Sequence, residues 1–136
     1  MDVEEARAFV RANHRAVLAT LAQDGTPQLS PVAVGIGEAG DLLISTRETA
    51  VKAKNIRREP HVWVCVLNDG FYGQFVQISG PVTVVALPDA MDGLIEYYRS
   101  VSGEHPDWDD YRTAMERERR ILLRVEIVKA GPTFHG

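Results

Sequence analysis

The part of the chain whose residue types and spacing best suit chemistry is Ser45-Thr46-Arg47-Glu48-Thr49-Ala50-Val51-Lys52-Ala53-Lys54-Asn55. Two hydroxyl residues at the end of a strand-like run lead into the start of a helix-like one, where free backbone N–H groups and the helix dipole favour an anion. Lys52 and Asn55 stand three residues apart, so a helix puts them on one face, and Ala53 and Ile56 share the neighbouring apolar stripe. Backbone amides, hydroxyls, one ammonium and one amide can together hold a phosphate. Of the 15 basic residues, Arg47, Lys52, Lys54, Arg57 and Arg58 crowd into this stretch, while the chain as a whole carries a net charge of −4. A local basic cluster on an acidic protein suggests a bound anion. The same spacing also suits an ordinary solvated helix, and spacing alone does not choose between them.

Other candidate motifs point to less. Gly35-Ile36-Gly37-Glu38-Ala39-Gly40 matches G-x-G-x-x-G, but a dinucleotide site needs a helix after the glycines. Here a strand-like run follows, and Glu38 would repel phosphate, so a hairpin turn is expected. The histidines His14, His61, His105 and His135 show no i,i+4 pairing and no acidic or cysteine partner at ligand spacing, so no metal site is expected. Glu104, His105, Asp107 and Asp110 could hold a cation, but helix capping and solvation explain them more simply. The single cysteine, Cys65, sits among valines and reads as a small apolar residue rather than a thiolate. No serine lies in a G-x-S-x-G elbow, which leaves hydrolase triads without support.

The elements that must position these residues follow from the hydrophobic pattern. Asp2-x-x-Glu5 is a capping box for a helix to about Asn13. The run Ala16 to Leu21, the turn Asp24-Gly25 and a second strand from Gln28 to Ile36 form a hairpin. A third strand covers Asp41 to Thr46, and a helix from Thr49 to Arg58 stops at Pro60. His61 to Leu67 is rich in β-branched and aromatic residues, as in a buried strand. Phe71 to Gln74 is a loop and Phe75 to Ala86 a further strand, with a bend or bulge at Gly80-Pro81. Met91, Leu94, Ile95, Tyr98 and Val101 then follow a helical period. Asp107 or Asp109 caps another helix to about Arg117, and Arg120 to Lys129 is the sixth strand. Six strands with hairpin turns and few helices predict an α+β fold that is mainly β, an antiparallel barrel or sandwich with helices outside.

At 136 residues the chain suits one domain with its own core. No uncharged apolar run of about 18 residues is present, so no membrane-spanning helix is expected. Met1-Asp2-Val3-Glu4-Glu5 lacks the plan of a signal peptide, and a cytoplasmic protein is expected. The acidic balance argues against general nucleic-acid binding.

Leu18-Ala19-Thr20-Leu21, Asp24-Gly25-x-Pro27, Leu29-Ser30-Pro31-Val32 and Lys52-x-x-Asn55-Ile56-Arg57-Arg58-Glu59-Pro60 together resemble the flavin-binding split β-barrel superfamily of pyridoxamine phosphate oxidase. The stretch Tyr98 to Arg112, with Gly103-Glu104-His105-Pro106-Asp107-Trp108 at its centre, resembles a narrower branch, the small actinobacterial proteins that use the deazaflavin coenzyme F-420. The resemblance implies a six-stranded split β-barrel acting as a homodimer, with two cofactors in grooves between subunits and a small-molecule substrate.

By position, it implies that Lys52 and Asn55 hold the cofactor phosphate with Lys54 nearby. Ser30, Pro31 and Val32 would lie along the ring system, and Ser45 and Thr46 near the ring or ribityl chain. Phe71, Tyr72, Phe75 and Gln77 match the stretch that similar proteins contribute from the partner subunit. Gln77 is also a polar residue in an apolar strand, which calls for a partner of its own. Many relatives carry arginine where this chain has Ala50; its absence removes a bidentate phosphate contact, which Arg47 can replace. Arg57, Arg58 and Lys54 suit the anionic glutamate tail of coenzyme F-420, which flavin mononucleotide (FMN) lacks. The implied reaction is hydride transfer from the reduced deazaflavin to an electron-poor acceptor, with Tyr72 or His105 as candidate proton donors. The cofactor carries the chemistry, which explains the lack of an acid–base dyad. An FMN enzyme on the same scaffold and a non-catalytic deazaflavin carrier are the alternatives, and a haem-handling protein ranks last.

Overall fold

The computed structural model describes residues 1–131, 134 and 135. Its elements run α1 (Val3–Ala12), β1 (Arg15–Leu21), β2 (Pro27–Ala33), β3 (Gly35–Ile36), β4 (Leu42–Arg47), α2 (Val51–Arg58), β5 (His61–Leu67), β6 (Gln74–Val85), α3 (Met91–Ser102), α4 (Trp108–Arg117), β7 (Arg120–Val125), β8 (Lys129–Ala130) and β9 (Phe134–His135). The strands pair in the order β2-β1-β5-β6-β7-β4-β3, all antiparallel, with β8 and β9 added to β6. The path begins at β2 and ends at β3, the next strand in the chain. β2 comes alongside β4, yet no ladder joins them, so the barrel is split along that edge. This is the expected mainly β, α+β fold, a split barrel with helices outside.

The strand count needs correction: the pairing path holds seven strands rather than six. The expected strand from Gln28 to Ile36 is broken between Ala33 and Gly35. There the Val34 N–H donates to His14 O at 2.8 Å, and His14 Nδ1 lies 2.8 Å from Val34 O. Val34 is thereby tied to the entry of β1, and the chain beyond it leaves for β4. The last strand also stops early, at Val125 rather than Lys129, because residues 126–128 cross over Gly80. A Cβ on Gly80 would lie 1.7 Å from Glu126 O, so only glycine allows the crossing. Gly80-Pro81 stays within β6 and marks where that strand changes neighbour, from β5 to β7.

Local signals elsewhere set the geometry. Asp2 Oδ1 accepts the Glu5 N–H at 2.8 Å and caps α1. At the β1–β2 hairpin, Gly25 has φ +84°, and Asp24 accepts both the N–H and the hydroxyl of Thr26. Those hydrogen bonds hold the Asp24 carboxyl below its ordinary pKa. Gly40, at φ +89°, turns the glycine-rich segment between β3 and β4, as expected of a hairpin.

Two cores result. One fills the barrel with Leu18, Ile44, Ile56, Val64, Ile78 and Leu123, among others. The other lies on the opposite face of β4 and β7, where Leu43 and Leu122 meet Leu94, Ile95, Tyr111 and Met115 of α3 and α4. Among the described residues no helix is long and apolar enough to cross a membrane.

Candidate functional site

β2 alternates along the barrel edge. Gln28, Ser30 and Val32 face inward, while Pro27, Leu29 and Pro31 face out. The inward row through Ser30 continues across the sheet to Leu18, Val64 and Ile78, all fully buried. Ser30 Oγ is itself buried and has no hydrogen-bond partner among the described residues. A hydroxyl in that state is unusual, since a buried polar group without a partner costs about 1–3 kcal/mol. It is the kind of vacancy in the bonding that a ring heteroatom or carbonyl of a ligand fills.

α2 is anchored against β1 by its buried side. Ala53 and Ile56 enter the barrel core. Asn55 is only 4% exposed; its Nδ2 donates to Thr20 Oγ1 at 3.1 Å, and its Oδ1 accepts from Arg58 at 3.0 Å. Thr20 in turn donates to Gln28 Oε1 at 3.1 Å, and Arg58 reaches Leu21 O at 2.9 Å. The result is one polar chain from α2 through β1 to β2. Lys52 is half-buried beside it, Lys54 and Arg57 are exposed, and none of the three has an ion-pair partner among the described residues. Thr20 and Gln28 are network members that the sequence reading missed, and Arg58, expected to meet the coenzyme's anionic tail, is engaged in this network. The signal was present: Thr20 follows Ala16 and Leu18 in the inward register of an apolar strand.

On β4, Thr46 is buried on the barrel side, and Ser45 faces the helical layer. Arg47 lies on the same face as Ser45, 3.6 Å from Glu118. Glu118 also accepts both Nε and Nη2 of Arg120, hydrogen bonds that hold its carboxyl below the ordinary pKa. Arg47 therefore already has an acid partner on the side away from the barrel interior.

The remaining candidates divide between two places. Pro31, Val17, Cys65 and Gln77 form one cross-strand row on the outer face of the barrel, beside the row Leu29, Ala19, Trp63, Ser79. Phe75 belongs to the same outer face, and Phe71 and Tyr72 stand exposed on the β5–β6 loop with rings 5.0 Å apart. Gln77 is exposed and its side chain has no hydrogen-bond partner among the described residues. Burial alone pushes the Cys65 thiol pKa up, which keeps it protonated and unreactive.

His105 lies elsewhere, in the corner between α3 and α4. Its Nδ1 accepts the Asp107 N–H at 2.9 Å, and its ring packs on Tyr98, Trp108 and Tyr111. Of the two expected caps for α4, Asp107 is the one used. The side chain of His135 falls outside the described residues. No group of three His, Cys, Asp or Glu converges among the described residues. Two clefts of about 810 and 520 Å³ lie on the helical side, and neither is lined by Ser30, Lys52 or Asn55.

The family profile described as pyridoxamine 5'-phosphate oxidase matches residues 3–133. Among solved structures, a conserved hypothetical protein of Mycobacterium tuberculosis superposes with a TM-score of 0.80 at 22% identity, over 99% of this chain and 85% of that one. An F-420 reductase gives 0.68 at 20% identity, over 92% and 94% of the two chains. A pyridoxamine 5'-phosphate oxidase-related, FMN-binding protein of Nostoc punctiforme gives 0.63 at 20% identity, over 94% and 77%. At these identities the structural likeness speaks for the fold.

Proposed function

The chain belongs to the pyridoxamine 5'-phosphate oxidase family, and from that premise we propose that it is a cytoplasmic, homodimeric oxidoreductase that uses reduced coenzyme F-420 to reduce a small electron-poor organic substrate. The observation that carries this reading is Ser30 Oγ, buried and unpartnered on the open edge of the barrel. It lies opposite Leu18, two residue pairs along the hairpin from Thr20, the β1 residue bonded to Asn55 of α2, the helix that presents Lys52. A phosphate on Lys52 and a polar ring edge at Ser30 satisfy both groups with one ligand.

When bound, the coenzyme supplies the hydride. The chain's own residues bind and orient. Lys52 holds the phosphate, with Lys54 and Arg57 near enough in sequence to meet further anionic groups. Asn55 fixes α2 against β1, so that the ammonium is held in place rather than searching for its ligand. Ser30 sets the ring orientation, and the apolar barrel wall keeps water out. Of the two proton-donor candidates Tyr72 fits better: it is 75% exposed on the β5–β6 loop, whereas His105 Nδ1 is engaged at the helical corner.

Dimerisation is part of the reading. The outer barrel face offers Leu29, Pro31, Trp63, Cys65 and Phe75 as a continuous, partly exposed apolar surface, the sort of patch that marks an interface. A partner on that face would bring its Phe71–Gln77 stretch toward the barrel edge and complete a groove that the single chain does not enclose.

Fluorescence titration with coenzyme F-420 and, separately, with FMN tests the proposal, alongside light scattering for the dimer. Micromolar or tighter F-420 binding, at least tenfold weaker in Lys52→Ala, is expected, since a charge-assisted contact contributes about 1.5–3 kcal/mol. Preference for FMN would move the protein to the flavin side of the family. Tight F-420 binding with no turnover across quinone, enone and nitroaromatic acceptors would make it a carrier. Binding of neither would end the reading.

A further inference from the structure

The 520 Å³ cleft on the helical side has an apolar floor of Ala86, Leu87, Pro88, Met91 and Ile121, and Arg112, Arg119 and Arg120 stand at its rim. Its size lies within the ordinary range for small-molecule sites, roughly 300–1,000 Å³. Two of the arginines are already engaged. Arg112 lies 3.5 Å from Asp109, and Arg120 grips Glu118.

Arg119 is different. It follows the end of α4 with φ +52°, in the left-handed region that glycine favours at a helix C-terminus. Its backbone is held there, since its N–H donates to Glu116 O and its O accepts the Glu48 N–H. Its side chain is exposed and makes no ion pair or hydrogen bond among the described residues. The chain therefore places a cation in a strained backbone position that two backbone hydrogen bonds hold, while its guanidinium is left without a partner among the described residues. Strain of that kind points to a ligand contact.

We infer that this cleft binds an amphipathic organic monocarboxylate, its apolar body on the floor formed by residues 86–91 and Ile121 and its carboxylate on the Arg119 guanidinium. The exposed Glu48 and Glu116 share the rim; they disfavour a multiply charged anion and limit the ligand to a single carboxylate. The site does not depend on the oxidoreductase reading, because none of its lining residues belongs to β2 or α2.

Calorimetric titration of the intact protein with octanoate, 1-octanol and acetate tests this. Octanoate should bind, while the alcohol, which lacks the charge, and acetate, which lacks the apolar body, should bind at least tenfold more weakly, given the usual weight of a charged hydrogen bond. Arg119→Gly relieves the left-handed strain, so it should melt at a higher temperature yet lose octanoate affinity about tenfold or more. That opposed pair of effects separates a lost contact from a damaged fold. Absence of octanoate binding, equal binding of 1-octanol, or unchanged octanoate affinity in Arg119→Gly would each overturn the assignment.

Discussion

The α3–α4 corner and the β2–α2 edge both carry polar residues in patterns that look chemical, but they treat those residues in opposite ways. In the corner every member of Gly103-Glu104-His105-Pro106-Asp107-Trp108 that carries a polar side chain is spent within the chain. Glu104 accepts from Arg99 at 2.8 Å and from the Trp108 indole at 3.2 Å. His105 accepts the Asp107 N–H, Asp107 caps α4, and Arg99 lies 4.8 Å from the Trp108 ring centre. At the β2–α2 edge the inner network through Asn55 and Thr20 is closed, whereas Ser30 Oγ and Lys52 are left open among the described residues. Saturation marks architecture, and open valence beside a saturated support marks a site. The stretch most diagnostic of resemblance is thus the one with least left to offer a ligand.

The largest effect that could break this contrast is expected at Asn55. Asn55→Ala removes a buried amide that bonds Thr20 and Arg58, and should lower the unfolding free energy by about 2–3 kcal/mol, measured by urea denaturation. If stability stayed intact and only cofactor affinity fell, Asn55 would belong to the open side of the contrast, as its spacing from Lys52 suggested.

Gly103→Ala probes the saturated corner. Gly103 sits at φ +80°, ψ −155° with nothing within 4 Å of an added Cβ, so the penalty is backbone strain alone, about 1–3 kcal/mol. A lower melting temperature with unchanged cofactor binding is the expected result. A change in cofactor binding would give the corner a functional part after all.

These two residues also show what the sequence could and could not convey. The Asp24-Gly25 turn, the Asp2 cap and the apolar period of α3 are local, and each was readable because its cause lies within a few residues. The break at Val34 was not, because its cause is His14, twenty residues away. Helical spacing put Lys52 and Asn55 on adjoining positions, but it could not say which one faces the barrel; that depends on Thr20 across the interface. Likewise Ser45 and Thr46 read as one polar pair, whereas strand alternation sends them to opposite cores. Family resemblance supplied a list of positions, and only packing sorted them into supports and open groups.

Tyr111 supplies a smaller test of the helical layer. Its hydroxyl donates to Leu94 O at 2.7 Å, and burial, with smaller contributions from neighbouring charges, pushes its pKa up to about 12 from 10. The folded pKa lies above the unfolded one, so the stability this group contributes is complete below pH 10 and lost as pH rises toward 12. Tyr111→Phe should cost about 1 kcal/mol at pH 8. Above pH 10 the wild type should lose stability faster than the variant, and the two unfolding curves should converge. Parallel curves would mean that the hydroxyl is not held in the second core.

The smallest expected change in stability carries the sharpest test of the comparison. Ser30→Ala removes a buried hydroxyl that has no partner, so the apoprotein should keep its stability within about 0.5 kcal/mol or gain slightly, since the desolvation penalty disappears with the group. On the proposed reading the same substitution should weaken cofactor binding about tenfold, because the ring edge would lose its polar contact with Ser30. Thr20→Val, two residue pairs along the same hairpin, should do the reverse: it breaks the closed network and destabilises the fold by about 1–3 kcal/mol. Measured side by side in urea and by cofactor fluorescence, the pair distinguishes an open group from a supporting one. If Ser30→Ala destabilised the apoprotein as much as Thr20→Val does, the hydroxyl would already be satisfied within the chain, and the edge would be as saturated as the corner.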